Sequence, residues 1–188
     1  MRWIVLCVAS FMVLLGCKEN YTPKPRGYFR IGFPEKEYNR LHGDWPYSFD
    51  IATYSKAVEN KGALAQKNEI NIVVPANRAK IHISYKELDN NLGKLTEECR
   101  TLAYKHSVKA SSIEEKVFVN PDKKVYGTIY KIRGNAASPY QFYLTDSTKH
   151  FLRGALYIKE VPNYDSLRPV ITFLEKDVVR LIESTSWK

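Results

Sequence analysis

The densest set of chemically capable side chains is Asp146-Ser147-Thr148-Lys149-His150, with Arg153 just after it and Ser138 just before. A serine hydrolase needs a nucleophile, a base to take its proton and an acid to orient the base, all converging in space. Those residue types are present. Their context is wrong for the chemistry, because no Gly-x-Ser-x-Gly elbow sets either serine on a strained strand-to-helix turn. Adjacent Asp, Ser and Thr more simply satisfy their own backbone. The expectation is therefore a binding or structural loop in a protein that is not an enzyme. Asn135, Asp146, His150 and Arg153 are the candidate partner-binding residues, within the polar segments 134–139 and 146–154, where Phe151 and Arg153 can anchor an interface. The alternatives are an envelope hydrolase using Ser147 or Ser138 with His150, and a glycan-binding module using the basic surface.

Metal and phosphate chemistry find less support. His42, His82, His106 and His150 are isolated, with neither His-x-x-x-His nor Cys-x-x-Cys spacing, so no metal site is expected. No glycine-rich loop follows a predicted strand. The formal net charge of +9 is spread among acids without a long basic run. It suits contact with anionic headgroups or wall polymers, and no nucleic-acid motif accompanies it.

Cys17 is a different kind of site. The chain opens Met1-Arg2 and then runs apolar from Trp3 to Leu15, interrupted only by Ser10. That run falls short of the roughly 20 residues a membrane-spanning helix needs, and a basic start with a short apolar core is the layout of a secretory signal. It ends Leu14-Leu15-Gly16-Cys17, which resembles the bacterial lipobox: a small residue fits the peptidase cleft and the following thiol receives a diacylglyceryl group. Residues 1–16 are thus expected to be a lipoprotein signal peptide. Cys17 is expected to carry diacylglycerol and an N-acyl chain, with no other cofactor. Acyl chains at about 0.8 kcal/mol per buried methylene hold a protein firmly on a bilayer. Cys7 leaves with the signal, so Cys99 remains the one free thiol, and its place among apolar residues marks it as a small buried hydrophobe.

The elements that must position these residues follow from periodicity. Residues 17–27, with Pro23 and Pro25, form a tether, and 28–188 a single domain. Tyr28 to Ile31 is expected to be a short strand, and Phe33 to Tyr47, broken by Pro34 and Pro46, an aromatic arm wrapped over a core edge. Strands are expected over 69–74, 80–85, 113–119, 124–132, 140–144 and 151–158. Asn120-Pro121-Asp122-Lys123 closes a hairpin. Leu88, Leu92, Leu95, Cys99, Leu102 and His106 form one stripe of an amphipathic helix, capped by Asp89 or Asn90. A second helix follows Pro162, with Leu167, Ile171, Leu174, Val178, Leu181 and Ile182 inward, Asp165 or Ser166 as its cap, and Pro169 in its first turn. The fold class is α+β, a largely antiparallel sheet packed against two long amphipathic helices.

Several segments together resemble one family. They are Tyr21-Thr-Pro-Lys-Pro-Arg-Gly-Tyr-Phe-Arg-Ile31 leading to Phe33-Pro34, Ala79-Lys-Ile-His-Ile-Ser-Tyr-Lys86, Gly134-Asn-Ala-Ala-Ser-Pro139, Leu144-Thr-Asp-Ser-Thr-Lys-His-Phe-Leu-Arg-Gly154, Pro162-Asn-Tyr-Asp-Ser-Leu-Arg-Pro169 and the closing Trp187-Lys188. The pattern is similar to the gliding motility lipoproteins of the GldD family over nearly the whole chain. Gln66-Lys67-Asn68-Glu69 departs from it, standing where a Cys-Trp approach to the strand is expected. The resemblance implies a lipoprotein of the cell envelope, anchored to a membrane and facing the periplasm. It also implies a need for the protein in gliding, and a link to the type 9 secretion apparatus through contacts with other envelope proteins. Cys17 is the one site residue the resemblance transfers, and it supplies no catalytic mechanism.

Overall fold

The structure is a computed structural model that describes residues 31–60 and 66–188 of the 188-residue chain. Cys17, the signal, the tether and most of the expected first strand (Tyr28–Arg30) lie outside the described residues.

Alternating burial builds the sheet. Strand β5 (Ile70–Val74) buries every second residue, and so does most of β6 (Ala79–Glu87), as a sheet with unlike faces requires. Before them come four short strands: β1 (Tyr38–Arg40), β2 (Tyr47–Ser48), β3 (Asp50–Ala52) and β4 (Lys56–Glu59). After the first helix, a meander follows of β7 (Ala110–Asn120), β8 (Val125–Gly134), β9 (Tyr140–Thr145) and β10 (His150–Ile158). Seven strands pair antiparallel in the order β4-β5-β6-β10-β9-β8-β7. The 120–123 turn links β7 to β8 as its Asn-Pro-Asp composition predicts, with the Asn120 side chain accepting from the Lys123 amide.

Two helices cover opposite faces. Helix α2 (Tyr164–Ser184) lays Leu174, Val178, Leu181 and Ile182 against Ile81, Ile83, Phe142, Leu144, Leu152 and Leu156, the main core. Helix α1 (Leu92–Tyr104) sets Leu95 and Cys99 against Phe151, and Ala103 beside Tyr130 and Ile132. Phe151 and Leu152 are neighbours on β10, so they necessarily point to opposite faces. Of the expected stripes, Leu95 and Cys99 on α1 and Ile171, Leu174, Val178, Leu181 and Ile182 on α2 are buried, while Leu88, Leu92, Leu102, His106 and Leu167 are half-buried.

The helices are unequal: α1 has 13 residues and α2 has 21. The stripe read as reaching His106 leaves the α-helix at Tyr104 and tightens into a 3-10 turn over Lys105–Val108. Helix α1 starts after Asn91, whose side chain does not cap it, and α2 is capped by Asn163, which accepts from the Ser166 amide. That earlier start moves Pro169 into the second turn, where its missing amide leaves the Asp165 carbonyl without its intrahelical donor.

The aromatic arm is more regular than its prolines suggested. Strand β1 pairs with β3, and β2 with β11 (Ser186–Trp187), so the arm and the last strand form two small ladders at the margin of the main core. Tyr47 and Phe49 are fully buried there, with rings stacked 5.6 Å apart.

Candidate functional site

The β9–β10 turn shows what the Asp-Ser-Thr-Lys-His segment does. Asp146 Oδ1 accepts from the amides of Thr148, Lys149 and His150 at 2.8–3.0 Å, and Oδ2 accepts from the Thr148 hydroxyl at 2.9 Å. Burial alone would raise this carboxyl, but the three amides and the hydroxyl outweigh it and hold the group at about 2. Ser147 takes the left-handed conformation at φ 69°, and its amide donates to Thr145 Oγ1. This is a turn held by its own side chains.

His150 leaves that turn toward the α2 face. Its Nδ1 is 2.8 Å from the Tyr85 hydroxyl, and its ring stacks on Trp187 with centroids 5.1 Å apart and planes 3° apart. Burial keeps the imidazole below its ordinary pKa. Ser138 is fully buried and donates to the Tyr140 carbonyl. Neither Ser138 nor Ser147 is hydrogen-bonded to His150, so the serine–histidine contact a hydrolase would use is not formed. Asn135 is also engaged internally: its Oδ1 accepts from the Tyr164 amide in the first turn of α2.

Arg153 lies on the other face of the sheet. It sits opposite Ser84 on β6, and one guanidinium nitrogen donates to Gln141 Oε1 at 2.9 Å. It lines a cavity of about 210 Å³ between the sheet and α1, with His82, Ser84, Lys86, Glu98, Cys99 and Phe151 among its walls. Burial pushes the Cys99 thiol up to about 11, with Arg153 beside it opposing the rise, so this sulfur is no thiolate nucleophile at neutral pH. The four residues read as one binding surface therefore divide. Asn135, Asp146 and His150 make internal hydrogen bonds, and Arg153 lines the cavity under α1.

A family model described as gliding motility lipoprotein GldD matches residues 18–187. The chain belongs to the GldD family. That membership makes it a lipoprotein associated with gliding motility. No curated protein sequence matches it. The solution structure of cyanobacterial PsbP (CyanoP) from Synechocystis sp. PCC 6803 is similar at 12% identity and a TM-score of 0.48, covering 86% of this chain and 98% of that one.

This GldD-family chain holds a second polar cluster that sequence reading missed. Asp177, only 6% exposed on α2, accepts from Lys36 Nζ at 2.7 Å, Tyr54 at 2.6 Å and Tyr38 at 3.1 Å. The Lys36 ammonium also bonds the Tyr54 hydroxyl and lies 3.2 Å from the centre of the Phe173 ring. Burial lowers the Lys36 pKa against the raising pull of Asp177, and burial followed by Asp177 lifts the Tyr38 hydroxyl to about 12. The cluster fastens the arm to α2. Three donors from residues 36, 38 and 54 meet an acid more than 120 residues away, a separation no local pattern encodes. Among the described residues no group of three His, Cys, Asp or Glu side chains is placed to hold a metal, and no helix is long and apolar enough to cross a membrane.

Proposed function

We propose that this protein is a non-catalytic envelope lipoprotein, anchored through a diacylglyceryl thioether on Cys17, whose periplasm-facing domain supports the motility and type 9 secretion apparatus through protein contacts. The observation that carries the reading is the family match over residues 18–187, which begins directly after Cys17. Supporting it, His150 is occupied by Tyr85 and Trp187 rather than by a serine. Among the four candidate contact residues, Arg153 lines the cavity under α1, so the proposed contact centres there. Asp146, His150 and Asn135 hold the β9–β10 turn and the start of α2.

The deciding experiment is Cys17→Ser expressed in place of the native protein, with membrane fractionation and a gliding assay. The expected result is a folded domain recovered in the soluble fraction and impaired gliding. A variant that stayed on the membrane in cells that glided normally would overturn the reading.

A further inference from the structure

The cavity under α1 is built around a guanidinium that forms no direct ion pair among the described residues. Arg153 stands near the middle of β10, flanked on its own face by Phe151 and Ala155, where an apolar residue would complete the packing under the helix. A guanidinium carries five N–H donors. Gln141 Oε1 takes one, the Cys99 sulfur is a second and weaker partner, and among the described residues Arg153 has no carboxylate partner.

The two acids in the same cavity are otherwise engaged. Glu98 faces Lys86 at 3.8 Å, and Glu69 accepts from Asn60 Nδ2 and the Gln66 amide at 3.0 and 3.1 Å. Neither acid forms an ion pair with Arg153, whose guanidinium lines the cavity. Leu95 and Leu102 on α1 and Phe151 beside Arg153 on β10 give the cavity an apolar wall.

We propose that this cavity binds a small monocarboxylate with a short apolar body, the carboxylate on the Arg153 guanidinium and the body against Leu95, Leu102 and Phe151. A planar two-oxygen anion matches the guanidinium fork and accepts two parallel charge-assisted bonds. A phosphate dianion is disfavoured relative to a monoanion, since Glu69 and Glu98 line the same walls and repel two charges about twice as strongly as one. A cavity of about 210 Å³ accommodates a few heavy atoms beyond the carboxylate, not a sugar chain or an acyl tail. Such a group comes from a free short-chain acid or from the C-terminal residue of a polypeptide. The inference rests on the reading of Arg153 as the contact residue and gives that contact its chemistry.

The test is calorimetric titration of the full chain, purified in mild detergent, with butyrate, butanol, butylamine and inorganic phosphate. A second arm uses a short peptide ending in leucine, once with a free carboxylate and once amidated. Butyrate is expected to saturate, and butanol and butylamine not to. In Arg153→Gln the affinity should fall at least about tenfold, as loss of a charge-assisted bidentate pair requires, with the circular dichroism unchanged. Tighter binding of the free-carboxylate peptide than of butyrate assigns the group to a polypeptide end; the reverse order assigns it to a free acid. Both support the site. Absence of saturable binding by butyrate and peptide alike, equal binding by Arg153→Gln, or tighter binding of phosphate overturns it. These failures leave the Cys17 fractionation result untouched, so the anchored-lipoprotein reading stands or falls separately.

Discussion

At the residue scale, two acids of similar appearance in the sequence carry different burdens. Asp146 is folded at about 2 against an ordinary value of 3.8, so the folded state binds its proton less readily than the unfolded chain. Its contribution is complete above pH 4 and is lost as pH falls through the folded value near 2. Urea titrations across that window should show an acid-side loss of stability that is smaller in Asp146→Asn; an unchanged profile would mean the amide bonds to its carboxylate contribute nothing. The imidazoles of His82, His106 and His150 are all lowered by burial, so the unfolded chain binds protons first there and stability falls as pH drops below about 6.5. Asp177 is a matter of pairing. Asp177→Ala strands the half-buried Lys36 ammonium and two tyrosine hydroxyls, and should cost about 3 kcal/mol in chemical denaturation. Pairing Asp177→Leu with Lys36→Met should recover part of that loss, because the buried charges leave together. A double variant weaker than the sum of its parts would contradict this account.

At the element scale, strand β10 is central: it pairs with β6 and β9, carries His150 to one face and Arg153 to the other, and passes through Gly154. A Cβ at Gly154 would run into the Phe142 ring on β9. Gly154→Ala should therefore destabilise by about 1–3 kcal/mol through overpacking. A melting temperature equal to wild type would show that Phe142 can move aside. This is also the scale at which the sequence was most legible. The alternation Ile81, Ile83, Tyr85 and the stripe Leu95, Cys99 report burial directly, since side-chain direction follows from local geometry. The hairpin at 120–123 was legible because Pro and Asn constrain their own torsions. The ladders β1–β3 and β2–β11 were not, because strands of two or three residues hold too few alternations to stand out. The candidate site was legible by residue type only. Residues 150 and 153 are close in sequence, yet an odd offset along a strand sends them to opposite faces, and what each meets is decided by β6, α1 and residue 187.

At the scale of the molecule, the late strand β11 joins parts of the chain that no single element spans. Ser186 and Trp187 pair with Ser48 and Tyr47, and the Lys188 amide donates to the Pro46 carbonyl at 3.0 Å. Trp187 Nε1 donates to the Lys124 carbonyl at 2.9 Å, beside the β7–β8 turn, while its indole covers His150 at the start of β10. Arg40 on the arm reaches the Ser184 carbonyl at 2.7 Å, so arm, helix end, hairpin turn and central strand meet around one tryptophan. Trp187→Ala removes the stacked ring and one hydrogen bond and leaves the backbone ladder free to persist. An aromatic pair is worth about 1 kcal/mol beyond its buried area, and a hydrogen bond about another, so the loss should be about 2 kcal/mol. Because the contacts couple several elements, the loss should appear as a lower midpoint of one cooperative transition, read alike by fluorescence of Trp45 and by far-ultraviolet circular dichroism. Combining Trp187→Ala with His150→Gln should then cost less than the sum of the single changes, since the stack is lost only once. Additive losses would mean that Trp187 acts through its ladder and the Lys124 bond alone, with His150 incidental to it.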